Sequence, residues 1–86
     1  MIYGYGIKQV DQCGLLEMRE ITLAASPEVL RDVARFLSDM ADLMESGAFA
    51  NCSHRHIGSV ILDWEKRFPG KDVIVMPPAT VDDGEG

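Results

Sequence analysis

The chain opens on an alternating pattern and then changes to a helical one. In IYGYGIKQV, residues 2–10, alternation sets Tyr3, Tyr5 and Ile7 on one side of an extended strand and Ile2, Gly4, Gly6 and Lys8 on the other. Two glycines within a β-branched and aromatic run predict a strand with a smooth or closely approached face. Asp11 and Gly14 supply turn residues, and LLEMREITLA resumes the strand pattern from Leu15 to Ala24, so the two runs read as a hairpin. The apolar phase shifts inside the second strand, from Leu16 and Met18 to Ile21 and Leu23. A bulge near Arg19 and Glu20 reconciles the two halves; burial on both faces is the alternative.

Residues 26–47, SPEVLRDVARFLSDMADLMESG, carry the strongest local signal. Ser26 is a favourable N-cap, Pro27 fits the first helical position, Glu28 complements the helix dipole and Gly47 marks the stop. Leu30, Val33, Ala34, Leu37, Met40, Ala41 and Met44 repeat at helical spacing and define the expected core stripe. Val29, Phe36 and Leu43 form a second row beside it, so the apolar arc is wider than a small sheet requires. Either the following loop folds back over this row, or a partner or a second subunit covers it. The polar side holds Glu28, Arg31, Asp32, Arg35, Asp39 and Asp42, with Arg35 and Asp39 spaced as an i,i+4 pair.

Residues 48–56 read as a polar connection. Ile57, Val60, Ile61, Trp64 and Phe68 then return to helical spacing and predict a short second helix ended by Pro69 and Gly70; a strand over SVILDW is the competing reading. KDVIVMPP, residues 71–78, predicts a closing strand, and ATVDDGEG, residues 79–86, an acidic disordered tail. The sum is a single α+β domain over residues 1–78. Its expected architecture is a small, mainly antiparallel sheet of about three strands, the hairpin plus the C-terminal strand, packed on one long amphipathic helix with a short second helix.

Fourteen acidic against eight basic side chains give a formal net charge of −6. This balance repels phosphate backbones and anionic membranes, so neither nucleic acid nor a membrane is expected as a partner, and a basic protein surface would be attracted. No basic-then-apolar leader and no membrane-length apolar run is present, and Cys13 and Cys52 are too few for a disulfide scaffold; the expectation is a reduced, cytoplasmic protein.

Candidate chemistry centres on Cys52, His54 and His56. In an extended segment these alternate residues point the same way and could converge on a zinc ion. A structural site needs a fourth ligand and a catalytic one a general base, however, and no H-E-x-x-H or C-x-x-C accompanies them, so no metal or other cofactor is expected. Neighbouring Cys52, Ser53 and His54 do not by themselves assemble a nucleophile relay, and Asp82 and Asp83 fall in the tail. The chain therefore reads as a non-enzyme without catalytic residues. The plainer reading of the segment is a hydrogen-bonded connection in which His56 caps the next element.

LLEMREITLAASPEVLRDVARFL, then HRH at 54–56, Trp64, and DVIVMPP from Asp72 together resemble a family of small bacterial immunity proteins from polymorphic toxin systems, immunity family thirty-two. The resemblance spans roughly residues 15 to 78. It implies a protein that binds a cognate toxin domain and blocks it in the producing cell, with no catalytic residues, and with His54 and His56 as structural or interface positions. Acidity fits such a role, since many delivered toxins have basic clefts that attract an acidic inhibitor over long range. The expected toxin-binding patch joins Asp32, Asp39, Asp42 and Glu45 to His54, Arg55 and His56. A homo-oligomeric subunit or adaptor, using Val29, Phe36 and Leu43 as the interface of a homodimer, is the alternative.

Overall fold

Glycines decide how the first two strands meet. β1 (Ile2–Gln9) and β2 (Leu16–Leu23) pair antiparallel, and Ala24 N–H donates to the Met1 carbonyl at 2.9 Å to extend the ladder. A Cβ placed on Gly4 would lie 2.5 Å from Met18 Cε, and one on Gly6 would lie 3.0 Å from Leu16 Cδ1. The bare backbone of β1 thus leaves room for the long side chains of β2 to lie across it.

The expected bulge is present. Tyr5 faces Glu20 and Gly6 faces Met18, which leaves Arg19 as the extra residue; a second shift between Gly6 and Lys8 leaves Ile7 extra on β1. Because a one-residue slip flips every later side chain, the Arg19 bulge brings Leu16 and Met18 into phase with Ile21 and Leu23. These four share one face with Ile2, Gly4 and Gly6, while Tyr3 and Tyr5 stand with Thr22 and Glu20 on the other.

The computed structural model describes residues 1–9, 15–49 and 53–78; the connection holding Cys13, the segment with Cys52 and the acidic tail lie outside the described residues. The chain forms two compact units, Met1–Arg31 and Asp32–Gly86, and α1 (Pro27–Glu45) begins in the first and continues in the second.

Both ends of α1 are closed as the sequence predicts. Ser26 Oγ accepts the Val29 N–H at 3.2 Å, the N-cap bond. At the other end Gly47 N–H donates to the Met44 carbonyl and Ala48 N–H to the Leu43 carbonyl, at 3.1 and 3.0 Å, with Gly47 at a φ of 80°. This paired pattern, closed by a left-handed glycine, satisfies carbonyls the helix leaves open.

The buried face of α1 corrects the expected stripe. Val29, Val33, Phe36 and Met40 are buried and Leu43 is half-buried, whereas Leu30 and Leu37 are 42% and 47% exposed and Ala34 and Ala41 are exposed. Periodicity locates an apolar arc but not which half of it is covered, and the larger Phe36 occupies the interior where Leu37 was expected. Val29 and Phe36 consequently do not form an exposed partner face. Among the described residues of the second unit the buried apolar ones are Val33, Phe36, Met40, Phe49, Ile57, Ile61 and Trp64.

Residues 57–68 keep the expected apolar spacing but not a continuous helix. A 3-10 turn covers Ile57–Ser59, and α2 spans only Trp64–Arg67. Gly58 and Ser59 are poor helix formers and the β-branched Val60 and Ile61 follow them, so nothing local sustains a longer run. The C-terminal strand is likewise a small bridge: β4 (Ile74–Val75) pairs antiparallel with β3 (Arg55–His56) in a two-stranded ladder separate from the β1–β2 sheet, and Ile57 N–H continues it to the Val73 carbonyl at 2.8 Å. The architecture is α+β: the described residues form an antiparallel hairpin, a small two-stranded bridge, one long helix and one short one. Among the described residues no helix is long and apolar enough to cross a membrane.

Candidate functional site: an acidic groove on the long helix

The polar row of α1 divides into two parts with different fates. At its N-terminal end Asp32 is drawn into the fold: Arg67 of α2 bonds Asp32 Oδ2 at 2.9 Å, and Arg35 approaches Asp32 Oδ1 at 3.8 Å. Arg67 also reaches Asp63 at 3.2 Å. The expected i,i+4 pairing of Arg35 with Asp39 is replaced by this i,i+3 contact, because Asp32 is already held in place by Arg67. Asp32 therefore leaves the expected toxin-binding patch and joins the residues that fix α2 to α1.

At the C-terminal end the carboxylates stay open. Asp39, Met40, Asp42, Leu43 and Ser46 line a shallow groove of about 510 Å³ with Val60 from the turn before α2. Its floor is apolar, from Met40, Leu43 and Val60, and two carboxylates stand at its rim. All eight Lys and Arg residues fall within the described part of the chain, and among the described residues none forms an ion pair with Asp39, Asp42 or Glu45. The last turn of α1 contains no basic residue either. Negative side chains at the negative end of a helix are mutually repulsive and oppose the macrodipole. The groove thus presents an uncompensated negative potential above an apolar surface.

The histidine segment is occupied by internal contacts. His56 Nδ1 lies 2.6 Å from Asp72 Oδ2, and the rings of His54 and His56 meet edge-on with centroids 5.0 Å apart. His56 stands at the N-cap position of the 3-10 turn, but its ring makes no cap bond there; Ser59 Oγ donates to the His56 carbonyl at 2.7 Å instead. Arg55 stacks over Phe49 at 5.0 Å from the ring centroid. Among the described residues no three His, Cys, Asp or Glu side chains are grouped as metal ligands, and Cys52 lies outside them.

Of the expected patch, then, Asp39 and Asp42 share the groove, Glu45 is exposed on the same last turn, and none of His54, Arg55 or His56 lines it. Val60 and Ser46 were not singled out by sequence as site residues. Val60 carried only its apolar spacing, and Ser46 only its place before the helix-stopping glycine. Leu43 changes role, from a row beside the core to the groove floor.

No family model matches the chain, and neither a curated protein nor a solved structure matches it.

Proposed function

We propose that the protein is an immunity protein that neutralises a cognate bacterial toxin by stoichiometric binding, with the Asp39–Asp42 groove as its principal contact. The observation that carries this reading is the pair of carboxylates left without a cation over an apolar floor. An arginine or lysine of a partner fits both features, laying its aliphatic stem on Met40, Leu43 and Val60 and its charged head between Asp39 and Asp42. A basic toxin cleft supplies such side chains, and the chain's net charge of −6 steers the encounter. Binding occludes the toxin without chemistry, and in the histidine segment His56 is already bonded to Asp72 and Arg55 to the His54 carbonyl.

The test is co-expression in bacteria with the toxin domain encoded beside its gene, followed by co-purification and titration. Rescue and a stoichiometric complex are expected for the native chain. Asp39→Lys together with Asp42→Lys should abolish rescue and flatten the dependence of affinity on salt, since a rim charge acts mainly through association rate and screening. Full rescue by the double variant, with an unchanged salt slope, would remove the groove from the interface; a toxic neighbour that the native chain neither binds nor neutralises would overturn the immunity reading itself.

A further inference from the structure

β3 carries an imidazole pair that the groove on α1 leaves unused. His56 is extended, with φ −95° and ψ 145°, and its strand is paired to β4, so His54 and His56 project from the same side of the chain. Both residues are exposed, and their ring centroids lie 5.0 Å apart. Around one ion, with metal–nitrogen bonds of about 2.1 Å and ligands at about 90–110°, two imidazole centres stand about 4.6–5.3 Å apart. The pair thus already has the spacing of a chelate. Arg55, between them, belongs to the opposite side by the same alternation, and its guanidinium stacks over Phe49.

Asp72 prepares one of the two rings. Its Oδ2 lies 2.6 Å from His56 Nδ1, and a carboxylate only accepts, so Nδ1 carries the proton and the neutral ring keeps its lone pair on Nε2. A histidine that donates its other N–H to a carboxylate is the usual arrangement of a metal ligand. The backbone holds Asp72 from both sides: the Lys71 carbonyl accepts the Trp64 indole N–H at 3.0 Å, and the Val73 carbonyl accepts the Ile57 N–H at 2.8 Å. His54 is exposed, so its ring turns readily to present a nitrogen to the same point.

We propose that His54 and His56 chelate a divalent first-row transition ion of the kind that prefers imidazole, such as Zn²⁺ or Ni²⁺, with Asp72 as the positioning residue behind His56. The want of a fourth protein ligand and of a general base speaks against structural or catalytic zinc. This site is neither: water fills the remaining positions, and the ion is exchangeable. A simple brace between β3 and β4 would account for the His56–Asp72 bond, but it does not call for a second imidazole at chelating distance. The site shares no residue with the Asp39–Asp42 groove and does not rest on the immunity reading.

Calorimetric titration of the untagged full chain with Ni²⁺ alone, in a weakly coordinating buffer, tests this; Cys13→Ser and Cys52→Ser are included so that no thiol competes. One ion per chain is expected, with a melting temperature that rises with Ni²⁺. No binding by this chain overturns the proposal, including the case in which the native chain binds through a thiol. His54→Gln and His56→Gln should each weaken binding about a hundredfold, because each removes the intramolecular second ligand. Undiminished affinity in either variant overturns the chelate. Asp72→Asn should weaken binding about tenfold and Asp72→Glu should recover most of the loss; an unchanged affinity in Asp72→Asn overturns its positioning role. Should any variant fail to fold, nuclear magnetic resonance of the native chain with Zn²⁺ decides: the ring signals of both histidines should shift together, and shifts confined to other residues overturn the site.

Discussion

Arg67 and Asp32, thirty-five residues apart, are joined at 2.9 Å, and the pair fastens α2 to the start of the second unit's share of α1. Both side chains are mostly covered, Asp32 at 18% and Arg67 at 28% exposure, which places the pair between a surface bridge and a buried one. Asp32→Asn removes one charge from a cluster that also holds Arg35 and Asp63, and should destabilise the fold by about 1–2 kcal/mol in urea unfolding. Arg67→Ala cuts the links to both Asp32 and Asp63 and should cost more, whereas Asp63→Ala, at an exposed partner, should cost less than about 1 kcal/mol. An Asp63 variant as damaging as the Asp32 one would show that the order of burial does not set the order of importance.

The acidic end of α1 should be a place where stability and binding oppose each other. Asp42 and Glu45 stand at the negative pole of the helix with no basic residue in the last turn. Replacing either with lysine should stabilise the fold by about 0.3–1 kcal/mol at low salt, with the gain shrinking as salt rises. Thermal unfolding of Asp42→Lys and Glu45→Lys across a salt series checks this. Asp42→Lys should weaken toxin binding while raising the melting temperature, a combination that unfolding cannot produce. A lysine variant that loses both stability and binding would show that Asp42 supports the helix end in some other way.

How much of this was legible in the sequence follows the reach of each interaction. The capped helix from Ser26 to Gly47 was readable because every signal lies within a few residues, and the Arg19 bulge was readable because a change of apolar phase leaves no other single-face solution. The buried half of α1 was not, since helical spacing alone does not choose between the Phe36 row and the Leu37 row; Phe36 is buried, as are Ile57, Ile61 and Trp64 from later in the same unit. The pairing of Arg55–His56 with Ile74–Val75, and of Asp32 with Arg67, depends on long-range closure. The groove was half legible: Asp39 and Asp42 stood out as charge, while Val60, which supplies part of its apolar floor, carried no sign of that role. What sequence could not reveal is that Arg35 turns away from Asp39.

Glycine positions offer a contrast that isolates backbone conformation from packing. A Cβ at Gly47 or at Gly58 meets nothing within 4 Å, yet only Gly47 has a left-handed φ, 80°. Gly47→Ala should therefore destabilise by about 1 kcal/mol through strain alone, lowering the melting temperature by about 4–8 °C. Gly58→Ala should be neutral or stabilising by up to about 1 kcal/mol, because alanine narrows the unfolded ensemble without straining the fold. Equal losses at the two sites, measured by calorimetry, would mean that the turn at Gly58 tolerates no side chain.

Trp64 provides the sharpest test of the second unit's core. Its ring is almost fully buried and lies 4.7 Å from that of Phe68, and its indole N–H donates to the Lys71 carbonyl at 3.0 Å, closing the Pro69–Gly70 turn back onto α2. Trp64→Phe keeps most of the apolar volume but leaves that carbonyl without its donor, and should cost about 1–3 kcal/mol. Trp64→Ala adds a cavity and should cost about 3–5 kcal/mol, most of the stability of a domain this small, so that the variant is largely unfolded at physiological temperature. Far-ultraviolet circular dichroism separates the two, with a cooperative transition retained by the phenylalanine variant and lost by the alanine one. If Trp64→Phe were neutral, the bond to Lys71 would be replaceable by water, and the turn at Pro69–Gly70 would be held by its other bonds, from Gly70 N–H to Glu65 Oε2 and from Lys71 N–H to the Phe68 carbonyl.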